Sequence, residues 1–212
     1  MINKDLFDYD NKQKEIFGQL LCGVDEAGRG PLAGPVTIAA VILKPDMYID
    51  TLNDSKKLSE RQRDGIFEEI KRNSLCYNIV FVDNKDIDCM NILNATLFGM
   101  SNAIKSLSIT PDHILIDGNI APKDIKNTTT VIKGDSLSAS IAAASVLAKV
   151  SRDRYMSEIG LKYTDFNFAK HKGYATKEHY EEIMLHGITP IHRKSFLINS
   201  NRYFDAKSLK SI

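Results

Sequence analysis

Acidic residues follow three short apolar runs of this sequence, each at the point where a predicted strand ends. Asp25 and Glu26 follow the first run, Asp117 follows the second, and Asp135 comes shortly after the third. In sheets flanked by helices, binding sites form beyond the carboxyl ends of the strands. We therefore expect these four carboxylates to converge on one site.

Converging carboxylates repel one another unless a cation lies between them. Oxygen ligands without an accompanying Cys or His cluster favour Mg²⁺ or Mn²⁺ over Zn²⁺. Two such ions about 4 Å apart activate a water molecule and stabilise the leaving oxygen in phosphoryl transfer. The competing interpretation is structural, because a single acid after a strand is commonly a turn former or a helix cap. The adjacent pair Asp25 and Glu26 favours the metal site, since a plain turn need not tolerate that repulsion.

Alternating strand and helix patterns would position these acids. Apolar or alternating runs predict strands at residues 20–24, 35–43, 77–82, 113–116 and 129–132. A capping box predicts a helix after Ser59, and apolar spacing predicts helices over 87–107 and 138–155. Thr176 caps a further predicted helix that ends at Gly187. We expect an α/β fold with a sheet of mixed direction, in one domain over residues 1–212 with a helical appendage from about 160 to 212.

The composition is that of an ordinary globular protein. The chain has 212 residues, of which 43% are hydrophobic and 26% charged. No apolar run approaches the roughly 20 residues that a membrane-spanning helix needs, and the first residues contain no apolar signal core. The three cysteines are widely spaced without a CxxC pair, which argues against disulfides and zinc and favours reduced, packed thiols. We expect a cytoplasmic monomer with no membrane partner.

Charge is distributed unevenly along the chain. Residues 1–148 contain 16 basic and 20 acidic side chains, whereas residues 149–212 contain 12 basic and 7 acidic ones. An acidic N-terminal part and a basic C-terminal part suit an enzyme that holds metal ions and binds an anionic polymer.

Several longer blocks of sequence carry a family resemblance. The blocks are GVDEAGRGPLAGPV (23–36), LNDSKKLSE (52–60), HILIDGN (113–119), VIKGDSLSASIAAASVLAKVSRDRYM (131–156), HKGYATKEHYEEI (171–183) and HRKSF (192–196). In this order they resemble the ribonuclease HII form of the type 2 ribonuclease H family. The related ribonuclease HIII normally carries an additional N-terminal domain and differs in the loop that here reads Gly28-Arg29-Gly30.

The resemblance implies a ribonuclease H-like fold, with a five-stranded mixed sheet, flanking helices and a C-terminal helical segment. It implies that Asp25, Glu26, Asp117 and Asp135 are the catalytic, metal-binding acids. Asp153 also lies in a matching block, but we interpret it as a structural residue near the end of its helix that pairs with a nearby Lys or Arg.

The resemblance also implies how substrate is bound. The loop formed by Gly28, Arg29 and Gly30 would contact the ribose 2′-hydroxyl and its phosphates, since glycines let the backbone approach a sugar closely. Tyr174 would sense the junction between RNA and DNA through its ring and hydroxyl. Further contacts to phosphate or to the transition state are expected from Lys56, Lys57, His171 and Lys172.

The implied activity is endonucleolytic cleavage with two Mn²⁺ or Mg²⁺ ions as cofactors. Its substrates are the RNA strand of RNA–DNA hybrids and DNA duplexes that contain single ribonucleotides. Cleavage on the 5′ side of the ribonucleotide would leave a 3′-hydroxyl and a 5′-phosphate, and would begin ribonucleotide removal from DNA.

Three alternatives stay open at this point. Another ribonuclease H-like nuclease, such as a transposase, an integrase or a Holliday-junction nuclease, would share the clustered acids and would cut all-DNA substrates. A non-catalytic nucleic-acid-binding module would bind substrate without forming product. A metal-dependent phosphatase acting on small molecules would leave the basic C-terminal third without a role.

Overall fold

A five-stranded sheet forms the centre of the protein. The computed structural model describes residues 4–45, 48–52 and 59–198. The strands are β1 (Leu21–Ala27), β2 (Val36–Leu43), β3 (Ser74–Val82), β4 (His113–Asp117) and β5 (Thr128–Val131). Their order is β3-β2-β1-β4-β5, with β1 antiparallel to β2, β2 antiparallel to β3, and the β1–β4 and β4–β5 pairs parallel. The predicted mixed sheet is confirmed.

Helices cover both faces of this sheet. In the described residues they are α1 (Lys4–Phe17), α2 (Glu60–Asn73), α3 (Asn84–Met90), α4 (Ile92–Lys105), α5 (Ala139–Lys162), α6 (Phe168–His171), α7 (Lys177–His186) and α8 (Lys194–Ile198). A short 3-10 turn, Gly134–Ser136, separates β5 from α5. None of these helices is long and apolar enough to cross a bilayer.

Strand β2 is buried on both sides and divides the hydrophobic core into two layers. Ile38 and Ala40 face the layer that contains α4, whereas Ala39 and Val41 face the layer that contains α5. This alternation follows from the two-residue period of a strand, which sends neighbouring side chains to opposite faces. The apolar run of β2 therefore belongs to a central strand covered by helices.

Helix α5 lies directly against β1. A Cβ on Gly23 would overlap the backbone of Ser140, so only glycine permits this close approach of helix and strand. The helix begins at the Ser138 cap and runs to Lys162, seven residues beyond the predicted end at 155. The contact brings the first turns of α5 close to the strand that carries Asp25 and Glu26.

The prediction of a single helix over residues 87–107 is wrong, because the structure has two helices there. The chain breaks at Asn91, whose φ of 68° lies outside the helical region, and forms α3 and α4 on either side. Asp83 caps α3, and the Asn91 side chain accepts a hydrogen bond from the Asn94 N–H to cap α4. Apolar periodicity continues across the break, which is why the pattern indicated one helix.

Helix α1 lies outside the predicted elements and packs on the sheet layer that contains α5. Leu6 and Phe7 are buried in that layer. The buried Asp10 carboxylate accepts hydrogen bonds from the Ser138 hydroxyl at 2.6 Å and from the Ser140 N–H at 2.8 Å. Desolvation raises the pKa of Asp10, and these hydrogen bonds partly offset that rise. The helix thus helps to fix the beginning of α5.

The expected C-terminal helical segment is present from the end of α5 to residue 198. Its core contains Phe166, Phe168 and Tyr180, packed with Leu32 and Ala33 from the loop between β1 and β2. Backbone hydrogen bonds join the same loop to the segment, from the Leu32 N–H to Gly173 and from the Gly34 N–H to Ile191. The segment therefore supports the loop that follows the first pair of acids.

Candidate active site

The carboxyl ends of β1 and β4 bring three of the predicted acids to one cavity. Asp25, Glu26 and Asp117 line a space of about 250 Å³, together with residues 27–29, Ser145, Lys149 and Tyr174. β1 and β4 are parallel neighbours, so their ends open at the same edge of the sheet. The strand-end argument correctly predicted that these three side chains lie together.

Asp25 is buried, and its surroundings disfavour a bare negative charge. Desolvation raises the pKa of the Asp25 carboxyl well above its usual range, and the neighbouring charges of Glu26 and Asp117 raise it further. Hydrogen bonds from the Ser145 hydroxyl and the Glu26 N–H, the latter at 2.7 Å, partly offset this rise. The carboxylate is thus oriented by two donors at a point where negative charge accumulates.

Asp117 and Asp135 are linked through the turn that follows β5. The Gly134 N–H donates to Asp117 Oδ1 at 2.7 Å, which holds the residue next to Asp135 beside the end of β4. Asp135 is buried within the 3-10 turn and is not among the residues that line the cavity. The structure therefore connects the fourth acid, Asp135, to the other three through the hydrogen bond between its neighbour Gly134 and Asp117.

The donor set has the chemistry of a site for hard divalent cations. Its ligands are carboxylate oxygens, which Mg²⁺ and Mn²⁺ prefer. Across residues 4–45, 48–52 and 59–198, no three Asp, Glu, His or Cys side chains form a ready-made metal cluster. Asp25 is nevertheless buried beside the carboxylates of Glu26 and Asp117, whose combined negative charge a cation would neutralise. The residues present therefore fit such an ion.

The Gly-Arg-Gly loop (residues 28–30) borders the acids. Gly28 has a φ of +92°, and a Cβ there would overlap the Arg152 side chain, so both backbone and space require glycine. A Cβ on Gly30 would meet no atom within 4 Å. Arg29 is exposed, and its Nη1 lies 3.3 Å from Glu26 Oε1. The loop thus has a tightly packed side and an open side.

Tyr174 also lines the cavity and is 40% exposed. Lys149 Nζ lies 5.8 Å and Arg152 Cζ 5.6 Å from the centroid of its ring. These distances are within the range of cation–π attraction. The ring is therefore held at the cavity by two cations while part of its surface faces solvent.

Comparison with known proteins decides the family. The model of the ribonuclease HII family matches residues 22–199. The chain belongs to the ribonuclease HII family. Ribonuclease HII of Clostridioides difficile is 54% identical over 177 residues, which are 84% of this chain and 69% of that protein. Ribonuclease HII of Caldicellulosiruptor bescii is 50% identical over 197 residues, which are 93% of this chain and 96% of the relative.

The fold agrees with this family. The crystal structure of the ribonuclease H2 from Pyrococcus horikoshii superimposes with a TM-score of 0.71 at 27% identity, covering 90% of this chain and 97% of that one. The ribonuclease H-like fold is thereby confirmed. As a member of the ribonuclease HII family, the chain is a type 2 ribonuclease H, an endonuclease that hydrolyses RNA in RNA–DNA hybrids.

Not every residue expected to bind substrate reaches the cavity. The His171 side chain is 1% exposed; its Nε2 lies 2.9 Å from Glu182 Oε2, and its Nδ1 accepts a hydrogen bond from the Gly173 N–H. The expected contact of His171 with phosphate is therefore wrong, because both ring nitrogens are engaged inside the protein. Lys172 Nζ donates to Ser157 Oγ at 2.6 Å, away from the acids. Lys56 and Lys57 lie outside the described residues.

The sequence interpretation missed two residues of this ribonuclease HII site. Ser145 and Lys149 project from α5 into the cavity, one helical turn apart. Lys149 Nζ also contacts Asp153 Oδ1 at 2.7 Å, which confirms the predicted pairing of Asp153, although Asp153 lies in the middle of the helix. The i, i+4, i+8 spacing of these three polar residues, which places them on one face of the helix, was the available signal.

A second, smaller cavity continues the site toward α4. It measures about 100 Å³ and shares Glu26, Arg29 and Asp117 with the first. Its remaining wall is formed by Leu93, Thr96, Leu97, Met100, Gly118, Asn119 and Ile120. The acids therefore stand in the middle of a groove that extends from Tyr174 to α4, rather than in a closed pocket. An open groove suits a polymer better than a small molecule.

Proposed function

We propose that this ribonuclease HII cleaves duplex DNA at an embedded ribonucleotide, as well as the RNA strand of hybrids. The observation that carries the proposal is the meeting, around one open cavity, of strand-end carboxylates with the Gly-Arg-Gly loop and Tyr174. The acids provide the chemistry of phosphodiester hydrolysis, and the loop provides backbone groups that approach a sugar closely. The product strands would carry a 3′-hydroxyl and a 5′-phosphate.

We propose that two Mg²⁺ or Mn²⁺ ions are held by Asp25, Glu26, Asp117 and Asp135. When bound, such ions activate a water molecule and neutralise the charge of the leaving 3′ oxygen. Asp135 would join the other ligands from the turn whose Gly134 N–H donates to Asp117. Desolvation, and then the charges of Glu26 and Asp117, raise the pKa of Asp25, and a bound cation would offset both effects.

The protein's own residues prepare this site. The Ser145 hydroxyl and the Glu26 N–H orient the Asp25 carboxylate, and the Gly134 N–H orients that of Asp117. Lys149 brings a positive charge to the wall of the cavity, where it would attract a phosphate of the substrate. Hydrolysis by an activated water needs no covalent intermediate on the enzyme.

Recognition of the sugar would belong to the Gly-Arg-Gly loop and Tyr174. The 2′-hydroxyl is the group that distinguishes ribose from deoxyribose, and it both donates and accepts hydrogen bonds. The open side of the loop leaves room for a sugar, because nothing lies within 4 Å of the place where a Gly30 Cβ would stand. The partly exposed ring of Tyr174 would pack against the sugar or base next to the ribonucleotide.

The experiment compares two labelled DNA duplexes of identical sequence, one of which contains a single ribonucleotide. Each is incubated with Mg²⁺, Mn²⁺ or a chelator. We expect one cut, immediately 5′ of the ribonucleotide, that requires metal and is absent from the all-DNA duplex. Equal cutting of both duplexes would contradict the proposed sugar recognition. Binding without product in either metal would contradict the catalytic roles of the acids.

We further propose that one chain forms the complete catalytic unit and works as a cytoplasmic monomer. The C-terminal segment supports the loop beside the acids, so distant parts of one chain build the site. Cys22, Cys76 and Cys89 are free thiols, which suits a reducing compartment. Only Cys22 is buried, so the expectation that all three are packed inside is wrong. Size-exclusion chromatography with light scattering tests the monomer.

A further inference from the structure

Arg193 is a fully buried cation whose acceptors are backbone carbonyls of the loop between β1 and β2. Its Nη2 donates to Gly28 O at 2.7 Å, its Nη1 to Arg29 O at 3.0 Å and its Nε to Gly34 O at 2.9 Å. The Arg193 side chain thus spans the base of the Gly-Arg-Gly loop and the end of the same connection.

A second guanidinium group completes the support. Arg152 of α5, also fully buried, donates to Pro35 O at 3.0 Å, to Ala33 O at 3.1 Å and to Lys172 O at 3.0 Å. Its side chain fills the space next to Gly28 where a Cβ would stand. Two cations from distant parts of the chain therefore bind the carbonyls of one connection.

These bonds determine which way the loop's peptide groups point. The described residues contain no cis peptide bonds. In a trans peptide the C=O and the following N–H point in opposite directions. Since the carbonyls of Gly28 and Arg29 point to the buried Arg193, the N–H groups of Arg29 and Gly30 point away from it. Among the described residues, neither N–H has a hydrogen-bond acceptor.

The charge of Arg193 is costly to keep inside the protein. Desolvation and the nearby charge of Arg152 lower the pKa of Arg193 to about 9, so the group remains a cation at neutral pH. A buried charge without a directly bonded carboxylate stabilises the folded protein less than a well-packed apolar side chain of similar volume does. Its rigid fork of donors, by contrast, binds several carbonyls at once, which an apolar side chain cannot do.

We propose that Arg193 is a positioning residue for ribonucleotide recognition. It holds the Gly28 and Arg29 carbonyls inward, which leaves the N–H groups of Arg29 and Gly30 directed at the sugar and phosphate of the bound ribonucleotide. Arg152 supports the other end of the same connection. The inference rests on the proposed function, because the ligand of these N–H groups is the ribonucleotide.

The test uses Arg193→Ala and Arg193→Lys, with Arg154→Ala as the matched control. Arg154 lies on α5, is half exposed, and pairs with Asp64 and Glu68 rather than with the loop. Thermal unfolding first establishes the fraction of each variant that is folded. Values of kcat and KM are then measured on the duplex with a single ribonucleotide, with and without methylguanidinium below denaturing concentration.

We expect folded Arg193→Ala to lose about 10²-fold in kcat/KM, the size of effect that a misplaced binding group produces without touching the chemistry. Its affinity for an all-DNA duplex should stay within about twofold of the parent, since phosphate contacts made elsewhere are intact. Methylguanidinium should restore much of the loss in Arg193→Ala, and a matched concentration of sodium chloride should not. Arg193→Lys should keep an intermediate activity, because a single ammonium nitrogen cannot reach all the carbonyls that three separate guanidinium nitrogens bind.

Two results would overturn the inference. One is a folded Arg193→Ala that cleaves the ribonucleotide duplex with the parent's kcat/KM. The other is a loss that methylguanidinium does not reverse, which would make the side chain a stabilising element only. Failure of the proposed function looks different, because the parent and Arg154→Ala would then also leave the ribonucleotide duplex uncut, and the inference would fall with it.

Discussion

Gly28 has no room for a side chain because Arg152 occupies the space where its Cβ would stand. Two residues along, the space beside Gly30 is empty within 4 Å. The two glycines of one short loop therefore meet different constraints. Gly28 is required by the protein itself, whereas the open space at Gly30 is available to something that binds from outside.

Gly28→Ala is expected to destabilise the protein. Alanine would have to adopt a φ of +92° and displace the Arg152 side chain. Strain of this kind costs about 1–3 kcal/mol before the displaced hydrogen bonds are counted. Urea unfolding should show a lower free energy of unfolding than in the parent. An unchanged midpoint would mean that the loop can move without disturbing Arg152.

Gly30→Ala is expected to separate stability from activity. The position has no positive φ and no neighbouring atoms, so alanine should leave stability unchanged or raise it by about 0.4–1 kcal/mol through the unfolded state. The added methyl group would nevertheless stand between the loop and the sugar. We expect kcat/KM on the ribonucleotide duplex to fall. Parental cleavage by this variant would show that the substrate does not approach the loop here.

Asp25→Asn is expected to abolish most activity while the chain stays folded. Asparagine keeps the shape, and its single oxygen can still accept from the Glu26 N–H, but it removes the charge that would hold the cation. We expect a loss of at least about 10²-fold in kcat, the scale seen when one electrostatic group is removed from an active site.

A binding measurement checks the metal without relying on catalysis. An ion that binds the folded state alone raises the unfolding temperature as its concentration rises. Mn²⁺ should therefore stabilise the parent more than Asp25→Asn, and a chelator should remove the difference. Equal stabilisation of both proteins would place the ion elsewhere. Asp64→Asn, at an exposed site between α2 and α5, is the matched control.

The C-terminal segment should make stability depend on pH below neutrality. His179 and His192 are buried, and their Nε2 atoms lie 3.0 Å apart, so one neutral ring donates to the other. Desolvation lowers the pKa of His179 to about 4, and desolvation together with His179 lowers that of His192 to about 3.

In the unfolded chain both histidines titrate near pH 6.5. Between that value and their folded pKa values the unfolded state binds more protons, so stability falls as the pH drops from about 6.5 toward 4. The unfolding temperature measured across this range should show the loss. His192→Gln should flatten the dependence, whereas the exposed His186→Gln should follow the parent. An identical slope in all three proteins would exclude the pair as its source.

Much of the sheet and of the acid group was predictable from the sequence. The runs 20–24 and 113–116 are apolar over most of a strand, and the acids that follow them lie in the last residues of β1 and β4. The capping box at Ser59 was equally local and is confirmed. Each of these features depends on residues that are close together in the chain, so it can be predicted from one sequence.

Other features depend on residues far apart in the sequence. Nothing near His171 indicates that Glu182 and Gly173 engage both of its nitrogens, so it was assigned to the substrate. The roles of Arg152 and Arg193 likewise depend on carbonyls more than a hundred residues away. A buried arginine and an exposed one look alike in a sequence, since only tertiary packing distinguishes them.

The distance in sequence between Arg193 and its acceptors has a consequence for the newly made protein. Gly28 and Arg193 are 165 residues apart, and the carbonyls near the start of the chain receive their donors only from this late segment. During synthesis the strands that carry Asp25 and Asp117 emerge well before residue 193. A nascent chain can therefore form these strands before the Gly-Arg-Gly loop has received its donors. Under the proposed function, translation order delays substrate selection until residue 193 has been made.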